Sequence, residues 1–362
     1  MLTELSLHQY RAHTATRIPL QQLTVLVGPN AVGKSSVLEA LYLLGRAIEA
    51  EASKEPVFTG ARDLRWLVRR GATEPMRVQL KGRRQDAPIW RIWLDSQGAG
   101  VAFDADGPAA LDEDGGAFLH DSVVGRTLRG AVTLRLDSRR LAEPSISEEE
   151  VPGLREDGYG LATVLSTMKL TSTGRFKELE DAACRIVPTL RGIGFKRTRI
   201  ERQGARALTL EGQKVLVQEK EVAVADELVL DFVDATGLPA HAASEGTLIV
   251  LGILAALYGP ASPRLLLLDD IERALHPRAQ QELIKMLHAA LAAAPDAQIV
   301  ATSHSPYLVD ALEPHEVVVL GRGAGGQVAA RRLSENPKAK LLEVLTSGEL
   351  WAAEGEGWVT GA

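Results

Sequence analysis

Gly28-Pro29-Asn30-Ala31-Val32-Gly33-Lys34-Ser35 fits the phosphate-binding loop pattern G-x-x-x-x-G-K-[ST] at every fixed position. The apolar run Leu23-Thr24-Val25-Leu26-Val27 precedes it and reads as a buried strand. Ser36-Val37-Leu38-Glu39-Ala40-Leu41-Tyr42-Leu43-Leu44 follows with helical spacing of its apolar residues. A strand, a glycine-rich turn and a helix start let successive backbone N–H groups converge on phosphate oxygens. The nucleotide-contacting segment is therefore expected to be Gly28, Pro29, Asn30, Ala31, Val32, Gly33, Lys34, Ser35 and Ser36. Lys34 would reach the β- and γ-phosphates, and the Ser35 hydroxyl would take a position on Mg²⁺.

With 362 residues the chain has room for one large domain or two of ordinary size. Hydrophobic residues at 45% are ample for a packed core, and with aromatics at 4% that core must be built from Leu, Val and Ala. Cys184 is the single cysteine, which excludes an internal disulfide and suits a reducing compartment. Met1-Leu2-Thr3-Glu4-Leu5 lacks the basic start and apolar core of a signal peptide, and Gly252 breaks the longest apolar run. The expected location is the cytoplasm, with no membrane partner. A net charge of −6 argues against a uniformly basic nucleic-acid protein while leaving room for a local basic track.

Further motifs follow in order. Leu265-Leu266-Leu267-Leu268-Asp269-Asp270 is an apolar strand ending in two acids. Beside a phosphate loop, Asp269 would hold the metal, directly or through water, and Asp270 would orient and deprotonate the attacking water. Ile271-Glu272-Arg273-Ala274-Leu275-His276-Pro277 leads into a helix to about Leu291. Ala297-Gln298-Ile299-Val300-Ala301-Thr302-Ser303-His304-Ser305-Pro306 is another buried strand with a polar end, from which His304 would sense the γ-phosphate. Ala243-Ser244-Glu245-Gly246-Thr247 opens an apolar helix. Ser244 there is either an N-cap or an anion contact; both uses need the same atoms.

Together these residues resemble the ATP-binding-cassette ATPases, in the soluble branch that includes RecF, SMC and OLD-type proteins. Leu2-Thr3-Glu4-Leu5-Ser6-Leu7-His8-Gln9-Tyr10-Arg11 resembles that branch's opening strand, with its aromatic-arginine pair. Ser244-Glu245-Gly246-Thr247-Leu248 is similar to its degenerate signature, and Asp269 through Pro277 to its acidic strand and D-loop. Thr302-Ser303-His304-Ser305-Pro306 is similar to its switch-histidine strand. The resemblance covers roughly 1–60 and 235–320. It implies an α/β fold: a P-loop NTPase head with a mixed central sheet, an antiparallel β arm and an inserted α+β lid. It further implies ATP and Mg²⁺ as cofactors, Arg11 at the nucleotide, and an ATP-sandwich homodimer. In that dimer Ser244 and Gly246 of one subunit meet the nucleotide held by Lys34 and Ser35 of the other. Lys34, Asp270 and His304 are the catalytic positions so implied, with Ser35 and Asp269 at the metal.

Two features depart from the family. Asp270 stands where glutamate is usual, and one methylene less shifts the carboxylate by about a bond length, which predicts slow hydrolysis. No glutamine falls in the usual Q-loop register; Leu134-Arg135-Leu136-Asp137-Ser138, a strand entering a polar turn, is the substitute.

The expected domains are an N-terminal lobe at 1–137, an inserted lid at 138–236 and a C-terminal lobe at 237–362. Alternation in Met76–Lys81 and Pro88–Leu94 predicts strands of the β arm, and 104–116 an acidic loop. The lid reads as helices near 160–169 and 174–187, then strands near 191–200, 206–210 and 213–220, with no heptad repeat. After Pro306 two strands are expected, at Val317–Leu320 and Gln327–Leu333, then a helix near 337–346 and an acidic, Gly-rich tail. That leaves no room for a TOPRIM nuclease domain. Of four basic clusters, Lys196/Arg197/Arg199/Arg202/Arg206 is the best suited to contact nucleic-acid phosphates.

The leading expectation is an ATPase acting on DNA, or on a separately encoded nuclease or TOPRIM-like effector, in repair or antiphage defence. A sensor or scaffold with hydrolysis as its timer is the alternative. A transporter's nucleotide-binding subunit is less favoured, because of the large insertion and the degenerate signature.

Overall fold

The computed structural model describes residues 1–53, 64–84, 87–95, 98–103, 127–147, 149–210 and 213–361. The expected acidic loop at 104–116 lies outside them. The chain forms two compact units, one of 1–135 with 263–362 and one of 136–262. Helix Glu245–Tyr258 thus belongs to the second unit, where the sequence placed it with the C-terminal lobe. Its residues Thr247–Ala256 are all buried, so it is apolar all round and packs as a core helix among the helices of that unit.

The first unit holds two sheets. Strands β1 (Leu2–Tyr10), β2 (His13–Pro19), β4 (Arg77–Arg84), β5 (Ala87–Asp95) and β6 (Gly98–Phe103) form an antiparallel sheet in the order β2-β1-β4-β5-β6. β3 (Leu23–Val27), β7 (Ala131–Leu134), β11 (Leu265–Leu268), β12 (Gln298–Thr302), β13 (Val317–Arg322) and β14 (Val328–Arg332) form the other, in the order β14-β13-β3-β12-β11-β7. Only β14 runs antiparallel there. β3, β11 and β12 are buried at every residue, which is why they read as unbroken apolar runs rather than alternating ones. Helix α1 (Lys34–Ser53) covers the sheet with Val37, Leu38, Leu41 and Leu44 on one face, and a single turn, α2 (Leu64–Leu67), comes later in the same unit. In a parallel sheet the C-terminal strand ends share one edge, and ligands bind outside it. The phosphate loop leaves β3 there, Asp269 leaves β11 and Ser303 leaves β12.

In the second unit α3 (Ser138–Ala142), α4 (Leu161–Thr171), α5 (Thr173–Ile186) and α6 (Glu245–Tyr258) pack with a hairpin of β8 (Leu190–Leu210) and β9 (Gln213–Phe232), extended by β10 (Leu238–Pro239). β8 was expected as two strands and β9 to end near 220. Both run on unbroken, because continuous pairing from Gly192↔Asp231 to Leu210↔Gln213 outweighs the break suggested by Gln203-Gly204. Cys184 on α5 is a free, partly buried thiol, and burial pushes its pKa up.

The C-terminal segment also differs. Only a 3₁₀ turn, Ala339–Glu343, stands where a helix near 337–346 was expected. The helix begins later, at Ser347–Glu354, with a Thr346/Glu349 capping box; a second helix covers Gly357–Thr360. The tail is thus folded, with Leu350, Trp351 and Val359 buried. Gly348 fits because a side chain there would strike the Pro306 carbonyl, and its N–H donates to Asp310 Oδ1 at 2.7 Å. Among the described residues no helix is long and apolar enough to cross a membrane.

Candidate nucleotide-binding site

The loop between β3 and α1 takes left-handed backbone at Gly28 (φ 142°), Ala31 (φ 59°) and Gly33 (φ 111°). Gly28 is held against the Leu320 carbonyl of β13, where any Cβ would collide. At Gly33 the ring of His13 lies beneath the loop, so close that a Cβ would meet Nε2 at 2.5 Å. Arg322 Nη2 donates to the Ala31 carbonyl at 2.7 Å. Two neighbouring strands, β2 and β13, thus fix the loop from behind.

Lys34 is buried, and its Nζ donates to the Gly28 and Pro29 carbonyls at 2.8 and 3.0 Å. Burial lowers its pKa, while the charges of Asp270, Glu272 and Asp269 pull the other way. Ser35 Oγ donates to Asp269 Oδ1 at 3.0 Å, and Thr302 Oγ1 donates to the same oxygen at 2.7 Å. The Thr302 hydroxyl also accepts from the Asp270 N–H at 2.8 Å. Arg135 Nε lies 3.9 Å from Asp269 Oδ2. Asp270 is left-handed at φ 53°, a conformation that Asp tolerates better than most residues. His304 is exposed, and its backbone N–H donates to Glu272 Oε1 at 2.7 Å.

A cleft of about 390 Å³ opens over the loop. Of the expected site residues, Arg11, Asn30, Ala31, Gly33, Lys34, Ser35, Ser36, Asp270 and His304 line it. Arg11 is held at its rim by Glu39 of α1, with Nη2 donating to Oε1 at 2.7 Å. Val32 is buried in the core and Gly28 is packed on Leu320, so these two shape the loop from within. Asp269 stands behind Ser35. Ser244 and Gly246 belong to the second unit, where Ser244 Oγ caps α6 by accepting from the Thr247 N–H at 3.2 Å. The polar turn offered as a Q-loop substitute is a helix cap as well: Asp137 accepts from Arg139 N and Arg140 N at the start of α3.

The sequence analysis did not single out His13, Thr302, Glu272 or Arg322, which contact the loop, the acids or the His304 backbone. Thr302 and Glu272 lie inside quoted motifs, Thr302 as a hydroxyl closing a buried strand and Glu272 just after the paired acids; His13 and Arg322 carry no local signal. The basic cluster on β8 looks different in three dimensions, since Lys196 pairs with Glu227 at 3.2 Å and Arg197 with Asp226 at 3.1 Å across the hairpin.

A family model described as "AAA domain, putative AbiEii toxin, Type IV TA system" matches residues 125–310, just over half of the chain. The chain belongs to this AAA-domain family. A second model, "AAA ATPase domain", matches residues 1–65. The Septu protein PtuA of Bacillus thuringiensis is 38% identical to this AAA-domain protein over 69 residues, 19% of its chain and 17% of PtuA. The DNA replication and repair protein RecF of Xanthomonas euvesicatoria is 34% identical over 103 residues, 26% of this chain and 28% of RecF. The AAA-domain protein thus aligns with less than a third of either relative.

Among solved structures, an SMC head bound to the C-terminal winged-helix domain of ScpA has a TM-score of 0.55 at 13% identity, covering 94% of this chain and 99% of that one. An SMC head with an extended coiled coil from Pyrococcus furiosus, bound to the ScpA C-terminal domain, has a TM-score of 0.55 at 11% identity, covering 94% and 98%. These likenesses show the fold. The AAA-domain protein has the α/β head fold seen in the SMC structures, and both of its family models describe AAA domains.

Proposed function

We propose that the cleft binds ATP with Mg²⁺, and that slow hydrolysis there controls head-to-tail dimerisation of two copies. The carrying observation is the convergence of the Ser35 and Thr302 hydroxyls on Asp269 Oδ1 beside Lys34. A hydroxyl and a carboxylate 3.0 Å apart are hard oxygen donors that suit Mg²⁺. Among the described residues no cluster of three or more His, Cys, Asp or Glu could hold a metal alone, which fits an ion that arrives on nucleotide phosphates. When bound, Mg²⁺ neutralises charge developing on the phosphates.

The chain's own groups supply the rest. Backbone N–H groups of 30–36 cradle the phosphates, and Lys34 Nζ leaves the loop carbonyls for the γ-phosphate. Asp270 orients the attacking water and accepts its proton, and His304 donates to the γ-phosphate. Ser244 and Gly246 act on the ATP of the partner copy. Arg11 contacts the nucleotide from the rim.

The proposed setting is the cytoplasm, in antiphage defence or repair, acting on DNA or with a separately encoded nuclease or TOPRIM-like effector. Local likeness to PtuA and RecF supports it. A sensor with hydrolysis as its timer is favoured by one observation, the aspartate at 270 with its shortened reach.

The test is ATP turnover with and without duplex DNA, beside Lys34→Ala and Asp270→Asn. Asn keeps the left-handed backbone, so Asp270→Asn should bind ATP and fail to turn it over, whereas Lys34→Ala should lose binding. DNA stimulation lost in both variants supports the DNA-directed role. Tight binding without turnover in the unmodified chain makes the sensor the better account. Wild-type turnover retained in both variants would overturn the site.

A further inference from the structure

The His13 ring, the first side chain of β2, is wholly buried under the phosphate loop, and none of the roles above uses it. Its Nε2 faces the Gly33 carbonyl at 3.1 Å and its Nδ1 faces Thr16 Oγ1 at 3.0 Å. Thr16 Oγ1 in turn donates to the Val328 carbonyl of β14 at 2.7 Å. Carbonyls, which only accept, stand at both ends of this row of three close contacts. A neutral imidazole supplies one N–H and the threonine one O–H, so two protons serve three gaps. Burial keeps the ring neutral, with its pKa lowered to about 4, and the charge of Arg322 acts in the same direction.

Two arrangements follow. With the ring proton on Nε2, His13 donates to Gly33, and the Thr16 hydroxyl can turn to Nδ1. With the proton on Nδ1, Thr16 donates to Val328 and a bare Nε2 lone pair faces the Gly33 oxygen. The difference matters because the Gly33 carbonyl and the Lys34 N–H belong to one peptide group. The Lys34 N–H opens α1, where a helix leaves its donors without intrahelical partners. The Gly33 carbonyl already accepts from the Val37 N–H at 3.3 Å, and a second hydrogen bond, from His13, polarises the peptide further and makes the Lys34 N–H a stronger donor to an anion.

We propose that His13 is a positioning residue for nucleotide binding: as the Nε2–H tautomer it holds and polarises the Gly33–Lys34 peptide, and Thr16 sets how much of that tautomer is present. This rests on the ATP-binding role of the cleft. By reciprocity, a triphosphate on the Lys34 N–H draws the ring proton to Nε2.

Calorimetric titration of the full chain with a non-hydrolysable ATP analogue and Mg²⁺ tests it, beside ¹⁵N spectra of the histidine rings. His13→Leu should weaken binding by roughly two- to fourfold, since one hydrogen bond to the carbonyl strengthens the linked N–H by about 10–30%. His13→Gln, whose amide N–H can take the place of Nε2–H, should recover most of that loss. In Thr16→Val the Nδ1 proton has no acceptor, so the ring settles as Nε2–H and binding equals or exceeds wild type. The ring spectra should show Nε2–H rising on nucleotide addition, and already dominant in Thr16→Val.

Equal affinity of wild type, His13→Leu and His13→Gln overturns the proposal, as does an Nδ1–H ring in the nucleotide-bound state. Should His13→Leu fail to fold, Thr16→Val and the wild-type spectra decide alone. If wild type binds, Lys34→Ala does not and His13→Leu is unchanged, the cleft's role stands and this proposal falls. A folded wild type that binds no nucleotide removes both.

Discussion

Thr302 puts one hydroxyl between two acids, giving its proton to Asp269 and receiving the Asp270 N–H. Thr302→Val keeps the shape and removes both bonds, leaving a half-buried N–H unsatisfied. The expected cost is about 1–3 kcal/mol of folding stability by denaturant unfolding. Turnover should fall by roughly tenfold or more while ATP affinity stays near wild type, since water positioning is sensitive to shifts of about 1 Å. Thr302→Ser should restore both. Lys34, Ser35 and Asp269 stand out in the sequence because each sits in a contiguous pattern, and the structure brings Ser35 and Asp269 to 3.0 Å. Thr302 and His13 act through residues 33 and 20 positions away, and nothing in a local window reports such a contact.

The same division recurs among elements. β3, β11 and β12 announce themselves as apolar runs between polar ends, and they are the strands that carry the loop, the acids and the histidine. The β8–β9 hairpin was less legible, because cross-strand pairing carries a strand through residues of poor intrinsic propensity. The same pairing balances two cations of the basic strand with carboxylates of the opposite one. Helix α6 poses a question that substitution can answer, since Ser244 is an N-cap whatever else it does. Ser244→Ala should cost about 1 kcal/mol in unfolding, and Ser244→Asp little, because both Ser and Asp cap well. If Ser244 also meets the γ-phosphate of a partner copy, the added negative charge in Ser244→Asp should abolish ATP-driven dimerisation in light scattering. Dimerisation retained in that variant would reduce Ser244 to a cap.

At the scale of the whole molecule, His13 links stability to acidity. Its folded pKa, about 4, lies below the unfolded value of about 6.5. Above pH 6.5 both states are neutral at this ring and it adds no slope. As pH falls from 6.5 through 4 the unfolded chain takes up the proton first, and stability is lost. By pH 4 the loss should reach about 3 kcal/mol, flattening below. Carboxylates titrate in part of that window, so the measurement is a difference: unfolding free energy against pH for wild type minus His13→Gln. A flat difference curve would mean that the buried ring carries no such penalty.

The partly buried thiol of Cys184 has a practical consequence at this scale. With its pKa raised and no second cysteine in the chain, it should react slowly with maleimides, since thiolate is the nucleophile. The wild-type sequence is therefore close to a blank background for fluorescent labelling. A cysteine introduced at the exposed Val344 would take up dye first. Donor and acceptor dyes on separate copies would then turn nucleotide-driven association into an optical signal, followed in real time without altering any residue of the cleft.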